Sequence, residues 1–494
     1  MYLTAETLIF PISLAALADK YKGSIFLHQY KIVFLFFGAL IKPRRGDEKM
    51  DRLKAISPVD GRYGERVKEL IPYFSEYGLM RYRVLTEVEY FIALSQARLP
   101  QFGTFPGGRE LPLRSVYKEF PVADAGYIKE KEAVTNHDVK AVEYFVKEKA
   151  ASLGLQQWSE FVHFGLTSQD INNTAIPMAI RDSIREVMIP MLSSLRDALD
   201  AMTAEWAEIP MLARTHGQPA TPTRLGKEIA VFRERLDGQL LTLMMSKYSG
   251  KFGGATGNMN AHKVAYPDVD WVAFANRLLG EQLGLERQQT TTQVEHYDGL
   301  AELFDNICRI NTILTDLCRD FWSYISLDYF KQTIVSGEIG SSAMPHKVNP
   351  IDFENGEGNL GVANVLLSHL SSKLPVSRLQ RDLTDSTVIR NTGVAMAHSL
   401  IAWKSIKKGL SKLIVNHDRI KNDLENNWVV VAEALQTILR REGFPKPYEA
   451  LMEVTRTNQK ITGETIRLFI DSLDISDAVK DEMKAVTPFN YTGY

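Results

Sequence analysis

From about residue 180 the chain carries long stripes of apolar residues at helical spacing. In the segment 301–330, Leu303, Ile307, Ile310, Leu314, Leu317, Phe321 and Tyr324 recur at alternating intervals of four and three. That period, close to 3.5, lays one apolar seam along a helix and suits packing on other helices at a shallow angle. Ile184, Met188, Leu192, Leu195, Leu199, Met202 and Trp206 repeat the pattern, with a kink expected at Pro190. Leu225, Ile229, Phe232, Leu236, Leu240 and Leu243 form a third stripe. Strand-like alternation is scarce and no βαβ order appears, so the pattern predicts an all-α bundle.

Gly- and Pro-rich stretches interrupt the stripes at 100–112, 209–222, 250–267 and 336–350. They are predicted loops. They are also rich in His, Ser, Thr and Asn, and polar loops on a rigid bundle are where sites usually sit. No internal repeat or low-complexity run is evident.

Composition adds limits. The 494 residues are 45% hydrophobic and 24% charged, with net charge −2, so no global basic field draws nucleic acid. Cys308 and Cys318 lie on one predicted helix, about 15 Å apart at ~1.5 Å per residue, too far for a disulfide. Two free thiols suit a reducing, cytoplasmic setting. No Cys/His spacing resembles a zinc site, and the pair His216 and His346 has no ligand spacing, so no metal is expected. The first 49 residues stand apart. Their uninterrupted apolar run, Ile32–Ile41, has ten residues, against ~20 for a spanning helix. The start is not basic, unlike a signal peptide. The expectation is a non-functional extension with Met50 as the working start; a membrane-associating segment is the alternative.

Four segments carry candidate chemistry. Arg214–Pro222 sets His216 among Gly217, Pro219 and Pro222; its side chain suits acid–base work, or else simply bonds to backbone. Ser336–Pro350 offers mobile glycines, Ser341, Ser342 and Lys347, fitting an anion site or a plain polar loop; it is not a P-loop. Thr167 with Asp170 fits a helix cap, and helix N-termini also bind anions. Arg378–Arg390 holds Arg381 and Arg390 around a helix start at Asp385-Ser386-Thr387, fitting phosphate recognition or a surface ion-pair network. Asn136-His137-Asp138 and Arg62-Tyr63 are weaker signals.

Together these segments resemble the aspartase/fumarase superfamily, whose shared loop reads here GSSAMPHKVNP (340–350). With THGQPATP, TSQDINN, TNHDVKAVEYF, PVDGRY and QRDLTDSTVIRN in order, the chain is similar to the bacterial-type adenylosuccinate lyases from about Ser57 to Pro488. The resemblance implies three helical domains, at 50–158, 159–408 and 409–494. It implies a homotetramer whose central helices form a shared bundle, with each active site built from three chains. It implies elimination of fumarate from small succinyl-nucleotides, without cofactor, metal, nucleic acid or membrane. By the same resemblance Ser341 is the base, His216 the acid, and Glu354 the carboxylate holding His216. Ser342, Lys347 and Asn349 grip a carboxylate, as do Thr167 and Ser168. Arg62, Tyr63, Arg381, Ser386, Thr387 and Arg390 take the nucleotide and its phosphate. Asn136, His137, Asp138, Gln293 and Asn355 make further substrate contacts. Argininosuccinate lyase, fumarase or a non-catalytic relative on the same fold are the rival readings. Two departures stand out: the 49-residue extension, and an end at Tyr494 a few residues earlier than in relatives.

Overall fold

The computed structural model describes residues 52–334, 344, 347–456 and 460–494. The extension read at residues 1–49 therefore lies outside the described residues. The chain divides into two units, 1–65 and 66–494. In the first, Arg52–Glu65 is a series of turns in which Gly61 N–H donates to the Ser57 carbonyl and Arg52 pairs with Glu65.

The second unit is overwhelmingly helical, 67% helix against 5% strand for the structure as a whole, so the all-α expectation holds. Near its start, α1 (Glu76–Gln96), α2 (Val122–Thr135) and α3 (Asp138–Ser152) pack on one another, and α1 also packs on α4 (Ser168–Ser183). The stripe read across Pro190 is a nearly continuous helical rod. A wide turn, Ile184–Met188, joins α4 to α5 (Ile189–Glu205), and Ile189 N–H reaches back to the Ile184 carbonyl. That extra residue per turn is how the rod absorbs a proline, which lacks an N–H and crowds the preceding turn.

Five long helices then close a ring. α5 packs on α6 (Leu225–Met244), α6 on α7 (Asp298–Ser326), α7 on α8 (Ile351–Lys373), α8 on α10 (Thr392–Leu410), and α10 returns to α5; the short α9 (Thr384–Val388) precedes α10. All the predicted α7 stripe from Leu303 to Phe321 is buried. Phe321 stacks on Phe353 of α8, centroids 5.4 Å apart. One polar rivet crosses this core. Fully buried Asn311 donates to Ser399 Oγ and Asn364 Oδ1, each at 3.0 Å, and accepts from Trp403 Nε1 at 2.9 Å. Asn311→Leu is expected to lower stability by about 1–3 kcal/mol, since the Trp403 N–H would be stranded in an apolar core. Urea unfolding at fixed protein concentration measures it, and an unchanged midpoint refutes it.

The stretch 209–222, expected to be a loop, is instead mostly a β-hairpin. β1 (Pro210–Thr215) pairs antiparallel with β2 (Gln218–Arg224). Prolines at 219 and 222 hid it, because they disguise a strand that has no further neighbour to satisfy. Beyond α10, the C-terminal helices α11 (His417–Glu425), α12 (Ala432–Arg441), α13 (Pro447–Thr455), α14 (Gly463–Ser472) and α15 (Asp477–Ala485) follow. Leu435, Leu439, Leu451, Ile466, Ile470 and Met483 give α12 to α15 a core of their own.

Candidate active site

Several helix ends converge on one cavity of about 330 Å³, within the size range of small-molecule sites. Asn136, His137 and Asp138 occupy the junction of α2 and α3. Asn136 closes α2 in the left-handed region (φ 51°), which asparagine tolerates better than most residues. His137 is the N-cap of α3, and its Nδ1 accepts the Lys140 N–H at 3.1 Å. An accepting Nδ1 leaves the neutral ring's proton on Nε2, which lies 3.4 Å from Ser168 Oγ at the cavity wall. Ser168 opens α4, and the Asp170 carboxylate there accepts the Thr167 N–H at 2.8 Å, as the capping pattern predicted.

The basic side is equally built. Asp138 Oδ2 bridges Arg83 (2.7 Å) and Arg390 (3.0 Å). Burial pushes the Asp138 carboxyl up, but the Arg83 guanidinium, the Val139 N–H and Arg390 together hold the group below the usual carboxylate range. Burial likewise lowers the Arg83 pKa against the pull of Asp138. Arg381 donates to Ser386 Oγ at 2.8 Å and reaches Gln293 Oε1 at 3.4 Å. Tyr297 closes the wall with its hydroxyl between Asn173 (2.7 Å) and Asp385 (3.1 Å); burial raises its pKa far above the ordinary value, keeping it a neutral donor.

Of the predicted residues, then, Asn136, His137, Asp138, Ser168, Arg381, Ser386 and Arg390 share this wall, and Gln293 touches it through Arg381. Thr387 does not line it; its hydroxyl turns back to the Leu383 carbonyl at 3.5 Å. Thr167 stands just outside as the cap of α4. Sequence reading missed Arg83, Gln169, Asn172 and Tyr297, which line the cavity too. Arg83 left a signal: a guanidinium flanked by Tyr82 and Val84 within a largely buried stretch of α1 has to be paired.

The remaining candidates lie on other elements. His216 and Gly217 form the hairpin tip, both with positive φ (53° and 76°), a type I′ turn. His216 is exposed and makes no hydrogen bond among the described residues. β1 rests on α11, where Arg214 pairs with Asp423 at 2.6 Å. Glu354, in the first turn of α8, accepts from Trp322 Nε1 at 3.1 Å, and Asn355 accepts from Ser405 Oγ at 2.7 Å. Lys347 is exposed and Asn349 half-buried just before α8. Within one chain no described hydrogen bond joins His216 to Glu354 or to the cavity. Ser341 and Ser342 lie outside the described residues. Arg62 and Tyr63 belong to the first unit, the guanidinium 6.0 Å over its neighbour's ring.

A bundle with an anion-adapted cavity at its helix ends defines the class: residues 61–366 match the Lyase family, and residues 377–492 match the adenylosuccinate lyase C-terminal family. The adenylosuccinate lyase of Dictyostelium discoideum is 57% identical over 90% of this chain and 97% of its own length. That of Escherichia coli K12 is 48% identical over 90% and 98%. Solved structures of a 3-carboxy-cis,cis-muconate lactonizing enzyme from Pseudomonas putida and a fumarate lyase from Mesorhizobium share the fold. Each has TM-score 0.68 at 20% and 19% identity, covering 86% of this chain and 94% and 95% of theirs. The chain belongs to the adenylosuccinate lyase family, and is a carbon–nitrogen lyase.

Proposed function

We propose that this chain eliminates fumarate from adenylosuccinate, leaving AMP, and from SAICAR, leaving AICAR, within purine biosynthesis. The observation that carries the substrate assignment is the cavity wall, where Arg381, Arg390, His137 and Ser386 face one space at helix ends. Guanidinium groups and N-terminal helix ends together suit a phosphate monoester. The succinyl group then extends toward Ser168 and Thr167.

In the reaction, Ser341 removes the proton from the carbon beside a carboxylate. The electron pair is held as an enediolate-like dianion, which Lys347, Asn349 and Ser342 neutralise. The C–N bond then breaks, the C=C bond of fumarate forms, and His216 gives its proton to the leaving nitrogen so that it departs neutral. Glu354 holds the His216 ring in the orientation that the proton transfer needs. Ser341 returns its proton through solvent, and His216 is recharged. Arg62, Tyr63 and Asn355 are further substrate contacts by family resemblance.

His216 and Glu354 meet in this scheme across chains, in a homotetramer. Supporting that, the bundle leaves apolar side chains wet on its long helices: Leu241 and Met244 on α6, Trp322 on α7, Val362 and Val365 on α8, with Val365 72% exposed. A second copy of the same surface is the natural cover for such a face. We place the enzyme in the cytoplasm, with no cofactor; among the described residues no helix is long and apolar enough to cross a membrane.

Parallel absorbance assays with adenylosuccinate, argininosuccinate and fumarate test the substrate. Turnover of adenylosuccinate alone is expected. Turnover of either other compound instead would assign a sister lyase, and no turnover at all would leave a structural protein.

A further inference from the structure

Arg381, just before α9, has more holding it than its own segment provides. The hydrogen-bond network assigns the amide oxygen of Gln169, second residue of α4 and 1% exposed, to the side facing the guanidinium, where it accepts from Nε at 3.1 Å and Nη2 at 2.6 Å. The opposite orientation would set the amide donors against the guanidinium donors. Ser386 Oγ accepts from Arg381 at 2.8 Å and donates to the same amide oxygen at 3.2 Å, closing a three-membered ring of hydrogen bonds. Behind it, buried Asp385 stands 3.6 Å from Arg381 Nε, and the Tyr297 hydroxyl fixes its other oxygen at 3.1 Å.

This arrangement has a chemical consequence. A carboxylate holding Arg381 from inside would cancel its charge, whereas an amide oxygen orients the guanidinium and leaves the charge largely available to an incoming anion. Asp385 supplies only a longer contact. The buried ring also fixes the Ser386 hydroxyl, so both anion-binding groups are set before ligand arrives, and less ordering is left for the binding step.

We infer that Gln169 is a positioning residue for nucleotide binding: its buried amide oxygen presents Arg381 and Ser386 to the substrate phosphate. The inference rests on the proposed reading of the cavity as the phosphate site. Gln169→Leu, which keeps much of the side-chain bulk but offers no acceptor, is expected to raise KM for adenylosuccinate about tenfold, the size of one lost charge-assisted hydrogen bond. AMP should bind more weakly by the same factor in calorimetry, while kcat falls by less than about threefold, because no reacting atom is touched. Gln169→Glu, which sets a carboxylate against the same guanidinium, should also weaken AMP binding, because it cancels the charge that the amide leaves available.

Arg381→Ala separates the two claims. If it leaves AMP affinity unchanged, the phosphate-site reading itself fails. If Arg381→Ala weakens AMP but Gln169→Leu does not, the positioning role is overturned and the phosphate reading stands. A lowered melting temperature in Gln169→Leu, with kcat lost as much as KM is raised, would show a packing role instead and also overturn it.

Discussion

His216→Ala is expected to cut kcat by roughly 100- to 10,000-fold, the usual worth of a positioned proton donor, while leaving the fold and oligomer intact. The reason for the clean separation is structural. His216 stands at the tip of a type I′ turn, is exposed, and contributes no described hydrogen bond to its own chain. Alanine at its left-handed φ of 53° adds little strain beyond that which histidine already carries. On the proposed mechanism, loss of the imidazole makes the leaving nitrogen depart unprotonated, and the barrier rises. Steady-state kinetics with light scattering measure both halves, and near-native kcat would remove His216 from the acid role. Ser341→Ala should be comparably inactive. Mixing the two dead variants after subunit exchange should restore partial activity, because in a site shared between chains some sites draw both intact residues. No recovery after verified exchange would rule out sharing of those two residues between chains.

Lys251→Met is expected to cost about 3–5 kcal/mol of stability, the penalty for stranding a buried charge. Lys251 and Asp170 are both fully buried and 2.9 Å apart. Burial drives the lysine pKa down, and Asp170 works against that shift. The same carboxylate accepts from Gly253 N–H (2.8 Å), Gly254 N–H (3.1 Å) and Thr167 N–H (2.8 Å), tying a loop to the start of α4. Because Ser168 and Gln169 lie in that first turn, KM should also rise. The double variant Asp170→Asn with Lys251→Met, which removes both charges, should recover part of the loss. A melting temperature for Lys251→Met equal to the native one would refute the account.

Position in the chain was a good guide to some residues and none to others. The His216 loop was singled out for its chemistry, yet its hairpin was invisible: the strands are short and proline-bearing, and they pack on α11. Asp170 was read as a cap. It is one, but its second role, as the partner of Lys251 81 positions later, depends on the loop after residue 250 meeting the start of α4. Asp138 looked like a substrate contact and is held between Arg83 and Arg390. Gln169 left no mark at all, since a glutamine beside a capping motif is ordinary until the fold brings Arg381 against it.

By itself, the sequence determined the bundle and the inventory of reactive side chains. Apolar spacing is local information, repeated every turn, and a helix expresses it wherever the chain goes. The motif residues were likewise fixed by their own short segments. Only the tertiary structure decided which of them face one another. It gathered the residues of the α2–α3 junction, α4 and α9 around one cavity, and it put His216 and Glu354 on separate elements. Such contacts span hundreds of positions, and a charge or hydrogen bond acts only over a few ångströms. A base, an acid and an anion grip can therefore be named from their segments, but whether they form one site is settled by the packing of helices that no single segment encodes.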